Sequence, residues 1–202
     1  MSLDTYNGLI EEVGLLLMRN NITSQVPTFI RLFEAQANRH IQHYRMIGRT
    51  EFTLDGSPKP LPCGFHGVQS IKAGKYDLVY VTPDQLDDVR DAAQNHNGPS
   101  RYYSIVGDTF IFSPNAGRER CKITYWSEIP NLGKTCQSNW LLKNHPDVYL
   151  YGAALQAAPF LLDDARIPMW RDFVESAYQS INAESIEQQF GAHAEVQIRS
   201  IA

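Results

Sequence analysis

Arg101-Tyr102-Tyr103-Ser104-Ile105-Val106, Gly107-Asp108, then Thr109-Phe110-Ile111-Phe112-Ser113: two runs of aromatic and β-branched residues flank a glycine–acid pair. That composition fits a pleated, half-buried surface, and a two-residue link with glycine fits a tight hairpin. Pro114-Asn115-Ala116-Gly117 turns the chain again. Cys121 to Trp126 then reads as a third strand, so the segment is predicted to be an antiparallel meander.

On either side of this β-rich centre the hydrophobic period changes. Tyr6, Leu9, Ile10, Val13, Leu16 and Leu17 follow the i, i+3, i+4, i+7 spacing of a helix, with Asp4 as its expected N-cap and Asn20-Asn21 as its end. Ser24 is the expected cap of a second helix with the stripe Val26, Ile30, Phe33, Ala37, Ile41 and Tyr44. Arg31, Glu34, Asn38, Arg39, Gln42 and Arg45 fall off that stripe and are expected to be solvated, and Gly48 is the expected stop. Two linked amphipathic helices read as an antiparallel hairpin.

Between the second helix and the meander, Arg49 to Leu54 alternates and ends at the turn Asp55-Gly56. Pro58, Pro60 and Pro62 make the next stretch extended but a poor central strand. Val68–Ile71 and Tyr76–Val81 read as short strands around a Gly74-Lys75 turn. Thr82-Pro83-Asp84-Gln85 is a capping box that opens an acidic helix to about Gln94. After the meander, Asn144 is the expected cap of a helix that is apolar almost all round from Tyr149 to Leu162, interrupted at Pro159. A last helix is expected from about Pro168 to Gln189 on the stripe Ile167, Trp170, Val174, Ala177 and Ile181. The remainder alternates at Ala194, Val196 and Ile198.

Helices, then strands, then helices predict an α+β fold. The expected arrangement is a bundle of N- and C-terminal helices beside a central antiparallel β lobe. Its expected divisions are a hairpin at 1–48, a β-rich lobe with one short helix at 49–137, helices packing on the hairpin at 138–190 and an extended tail at 191–202.

A chain of 202 residues, 43% apolar and 20% charged, has enough core to fold without disulfides or metal. Three widely spaced cysteines argue for a reducing compartment. No apolar stretch is long enough for a membrane span, and Met1-Ser2-Leu3-Asp4-Thr5 lacks the features of a signal peptide. A net charge of −4 with scattered Lys and Arg gives no basic stripe of the kind DNA binders carry. The 11% of aromatic residues is generous, and some of these rings are expected at subunit contacts.

Candidate chemistry is thin. Cys63-Gly64-Phe65-His66 offers two metal ligands where a structural zinc needs four, and His40 and His43 lie one helical turn apart without a third ligand. Gly133-Lys134-Thr135 imitates the end of a phosphate loop, but Glu128 stands where the first glycine belongs. The pairs Asp87-Asp88 and Asp163-Asp164 read as solvated charge rather than catalytic carboxylates. No cofactor, metal or catalytic residue is expected.

The stretch from Tyr102 to Trp170 carries a resemblance. Asn139-Trp140-Leu141-Leu142 and His145-Pro146-Asp147-Val148-Tyr149-Leu150-Tyr151 are its most specific parts, and Tyr6–Val13 with Val26–Arg31 fit the same opening. Together they resemble the head–tail adaptors of tailed bacteriophages of the podovirus type. The resemblance implies a structural virion protein: a dodecameric ring that docks on the portal protein after DNA packaging and carries the downstream tail protein, a nozzle or tube. DNA would pass through its channel without specific binding, and the ring would be assembled in the host cytoplasm. The expected contact residues are Val196, Ile198 and Ile201 in the tail, which would add as a strand to a neighbour's or the portal's sheet edge, and Trp140. The competing readings are a phage cell-wall hydrolase using Asp or Glu carboxylates and another tail completion protein.

Overall fold

The computed structural model describes residues 3–18, 20–92, 100–113, 118–161 and 165–190. The described residues form a mixed α+β fold with six α-helices and two four-stranded sheets. They fall into two compact units, one from residues 1–46 and 129–202, the other from 47–128.

The helical unit begins with α1 (Tyr6–Leu17), capped by Thr5, whose hydroxyl accepts the Gly8 N–H at 3.2 Å. Asp4 is therefore not the cap. Met18, in the left-handed region at φ 53°, ends α1 one turn before the expected stop. A 3₁₀ turn from Asn20 to Gln25 absorbs Ser24, and α2 (Val26–His40) starts without a side-chain cap, with Pro27 in its first turn. α2 also stops before Gly48, at His40, because the backbone turns extended at Ile41.

Asn139 Oδ1 accepts the Leu142 N–H at 2.8 Å and opens α4 (Trp140–Asn144), so Asn144 ends a helix rather than capping the next, which has His145 as its N-cap without a side-chain bond. α5 (Pro146–Gln156) follows, and Pro159 falls in a separate 3₁₀ turn, as a residue without an N–H must. α6 (Ile167–Phe190) completes the unit. The apolar α5 touches α1, α2 and α6, which explains why it has no polar face. Gly152 and Phe33 mark its closest approach to α2: a Cβ on Gly152 would lie 2.1 Å from Phe33 Cδ2.

The β unit is two sheets packed face to face. The first runs β1 (Ile47–Leu54), β8 (Glu119–Ser127), β3 (Phe65–Ala73), β4 (Tyr76–Asp77). The second runs β2 (Lys59–Pro60), β7 (Thr109–Ser113), β6 (Tyr102–Val106), β5 (Val79–Tyr80). Leu54, Ile71, Ala73, Cys121 and Ile123 from one sheet meet Tyr103, Phe110 and Phe112 from the other in a single core. Burial of each of the large side chains, Leu54, Ile71, Ile123, Phe110 and Phe112, contributes roughly 1.5–3 kcal/mol.

The β6–β7 hairpin turns at Gly107-Asp108 with Gly107 at φ 57°, the conformation a first-position glycine supplies. The third strand of the expected meander is elsewhere. β7's other edge is taken by β2, while β8 pairs with β1 and β3 on both sides. Two full ladders hold β8 better than one five-residue neighbour would. The lobe is also not wholly antiparallel. β5 and β6 run parallel, and α3 (Pro83–Ala92) lies in the crossover that a parallel pair requires. The α3 capping box forms as read: Gln85 Oε1 accepts the Thr82 N–H at 3.2 Å and Thr82 Oγ1 accepts the Gln85 N–H at 3.4 Å.

Gly48 serves a different purpose from the one its sequence position suggested. It pairs with Tyr125 across β1 and β8, and a Cβ there would meet Tyr125 Cζ at 2.7 Å. Gly48→Ala is expected to push that ring aside and cost about 1–2 kcal/mol, at the low end of overpacking because the ring is partly exposed. Urea unfolding of the β unit measures it, and an unchanged midpoint would contradict the close packing.

Candidate functional site

Trp140 is the expected contact residue that the described residues include; Val196, Ile198 and Ile201 lie outside them. Trp140 opens α4, where the Asn139 cap fixes its backbone, while Leu141 and Leu142 beside it are fully buried. One face of the indole is stacked on His43, with ring centroids 4.7 Å apart and planes 17° apart. The residue stays half-buried. Ordinary core packing therefore accounts for Leu141 and Leu142 and for one side of Trp140.

The support beneath that ring is polar. His43 is wholly buried on the segment after α2, and its Nδ1 accepts the Arg45 N–H at 3.3 Å. Burial pushes its pKa below the usual histidine value. Its Nε2 lies 4.0 Å from Glu184 Oε1, and His145 Nε2 lies 3.6 Å from Glu184 Oε2. α6 satisfies the same segment elsewhere. Asn182 Oδ1 accepts the Gln42 N–H at 2.8 Å, and Ser185 Oγ accepts the Tyr44 N–H at 2.9 Å. Backbone groups with no ladder or helix of their own need such partners.

A second network pins the loop before α4. Glu34 is 2% exposed, against its expected solvation. Its Oε1 accepts the Leu132 N–H at 2.7 Å and the Tyr149 hydroxyl at 3.1 Å. Asn139 Nδ2 donates to the Pro130 carbonyl at 2.7 Å and to Tyr149 Oη at 2.6 Å. Asn38, also read as off the stripe, accepts the Ile129 N–H at 2.7 Å. Arg31, Arg39, Gln42 and Arg45 are exposed as expected, but Glu34 and Asn38 form the seat of residues 129–139, the loop that leads into Trp140.

The other sequence candidates are not brought together. His40 ends α2 and stacks on Tyr178, with centroids 5.4 Å apart, while His43 lies beyond the helix under Trp140. The one-turn spacing of a helical metal pair is therefore lost. Cys63 is exposed, and the buried Cys121 thiol is pushed up to about 12, which leaves it protonated and inert. Asp87 and Asp88 are exposed on α3, and Asp163-Asp164 lies outside the described residues. Gly133-Lys134-Thr135 sits in a loop closed by Gln137 Nε2 on the Lys134 carbonyl at 3.2 Å. Among the described residues, no three His, Cys, Asp or Glu side chains gather as a metal-ligand set, and no helix is long and apolar enough to cross a membrane.

Two kinds of surface remain. Some of the aromatic residues are buried in the two cores, yet Tyr80, Phe160 and Phe173 stay about half exposed, and Met18 is 83% exposed. α3 buries only Leu86 fully and presents Asp84, Asp87, Asp88 and Asp91 on its exposed side, with Arg90 tied back to the Phe112 carbonyl at 3.4 Å.

No curated protein matches the chain. The model of the SU10 adaptor protein family matches residues 4–197. The match starts just before α1, runs through both units and passes the end of α6, so the chain belongs to the SU10 adaptor protein family.

Proposed function

We propose that this phage structural adaptor is a head–tail adaptor of the podovirus type. Copies of the chain form a ring, dodecameric to match the portal, which docks on the portal after DNA packaging and receives the tail protein. The observation that carries the reading is the family match across residues 4–197. The half-exposed Tyr80, Phe160 and Phe173 support it, because aromatic residues are enriched at protein contacts. Half-buried Trp140, stacked on His43, and the tail residues Val196, Ile198 and Ile201 are the proposed contact residues. The exposed carboxylates of α3 suit a surface near a DNA channel, since phosphate contacts dominate nucleic-acid affinity and a lumen without them does not hold DNA. A ring structure with α3 buried between copies would refute that placement.

Size-exclusion chromatography with light scattering, on the protein alone and mixed with its portal, tests the whole reading. A ring, free or formed on the portal, is the expected species. A monomer that never binds portal would sink the proposal. Deleting Glu195 to Ala202 is expected to leave the thermal transition unchanged and to lower the ring yield. Undiminished ring yield would remove the tail from the interface.

A further inference from the structure

The two sheets of the β unit end in four edge strands, and three of these are too short to form a regular edge; β4 covers β3 only at Lys72 and Ala73, which leaves the rest of β3 as a second long but irregular edge. β4, β2 and β5 are each two residues long, and β2 contains Pro60. β1 is different. It has eight residues, no proline, and an unbroken register against β8 from Ile47↔Trp126 to Leu54↔Glu119. Among the described residues, its outer backbone groups pair with nothing. Proteins that do not use a long, regular edge shorten it, bulge it or cover it. Here the bulges fall on the uncovered part of β3, at Phe65/Gly67 and Val68/Ser70, whereas β1 has none.

We propose that the β1 edge is a strand-addition site, and that its occupant is the segment 193–200 of a second copy of this chain. This rests on the ring reading above. The two strands match in period. On β1, Phe52 and Leu54 pack toward the core while Arg49, Glu51 and Thr53 are exposed. The segment offers Ala194, Val196 and Ile198 on one side and Glu195, Gln197 and Arg199 on the other. They also match in charge. Glu51 is already engaged by Lys122 at 3.3 Å, whereas Arg49 makes no ion pair among the described residues and would gain Glu195. A tail on a neighbour's edge is a head-to-tail contact, the kind that generates rings. Two β1 edges paired about a twofold would stop at a dimer.

Hydrogen exchange of the full-length protein, free at low concentration and assembled with portal, tests this. The β1 amides that point away from β8 are expected to exchange at least about ten-fold more slowly in the ring. The full-length Val196→Asp/Ile198→Asp variant should return them to the free rate with an unchanged thermal transition. Ile198→Pro, which removes a ladder donor, should do the same. Rings in which β1 stays unprotected overturn the inference and leave the adaptor reading standing. Equal protection in the dilute monomer excludes a second copy as the occupant. If no ring forms, the adaptor reading fails. In that case β1 protection that rises with concentration in the wild type, but not in the variants, still supports strand addition, and its absence overturns it.

Discussion

Gly152→Ala should lower the stability of the helical unit by about 2 kcal/mol or more. In a surface helix the same change would stabilise by about 1 kcal/mol, because alanine is the better helix former. Here the new Cβ would sit 2.1 Å from Phe33 Cδ2, 2.2 Å from Cε2 and 2.9 Å from Cγ. Phe33 cannot yield easily: it is fully buried and held edge-on against Tyr149, with centroids 5.0 Å apart. Forcing a methyl into such a contact costs about 1–3 kcal/mol, sometimes more, and this clash with three ring atoms belongs at the upper end. Thermal unfolding should report it as a midpoint lowered by roughly 4–8 °C. Phe33→Leu alone also destabilises, but in the Gly152→Ala background it should recover part of the loss, because the residues share one space. Strict additivity of the two changes, or a Gly152→Ala protein as stable as the wild type, would show that α2 and α5 can separate without cost.

Local signals were legible where the chain bonds to itself nearby. The Thr82–Gln85 capping box and the Gly107 turn involve neighbours within three residues, and both form as their sequences dictate. The helical stripes of α1 and α6 were legible for the same reason: Leu9, Val13 and Leu17, like Trp170, Val174 and Ile181, are buried at the spacing that marks them. What failed was anything decided by a distant partner. Glu34 looks like a solvent-face residue because only the docking of residues 129–139 makes its side of α2 interior. Gly48 looks like a helix stop until β8 lays Tyr125 over it. β8 looks like the third strand of a meander because proximity in sequence is a default that two competing ladders override. For the contact surfaces, Trp140 stood out as a residue type, but its stacking on His43 and the status of β1 as an open edge depend on helix ends and strand order that no periodicity encodes.

Glu34 gives the second large effect, and it separates charge from hydrogen bonding. Glu34→Ala removes the acceptor for two buried donors, the Leu132 N–H and the Tyr149 hydroxyl, and opens a cavity beside them. Each stranded group costs about 1–3 kcal/mol, so a loss of about 3–5 kcal/mol is expected, with loosening of the 129–139 loop. Glu34→Gln should behave differently. Its Oε1 keeps both bonds, so the loss should be smaller than in Glu34→Ala, although its amide nitrogen replaces Oε2, which has no hydrogen-bond partner, and strands N–H donors there. Burial raises the Glu34 pKa above its ordinary value of 4.5, the largest influence on it, and outweighs the Leu132 and Tyr149 hydrogen bonds. The folded protein therefore holds this proton at pH values where the unfolded chain has released it. Stability from this group is full below the unfolded value and declines as pH rises toward the raised folded value. Urea midpoints measured across that window should fall with pH in the wild type more than in Glu34→Gln, so the gap between the two should narrow as pH rises. A wild-type slope unchanged in Glu34→Gln would mean that this carboxyl is solvated in the folded protein, and the seat it makes for the Trp140 loop would have to rest on Asn38 and Asn139 alone.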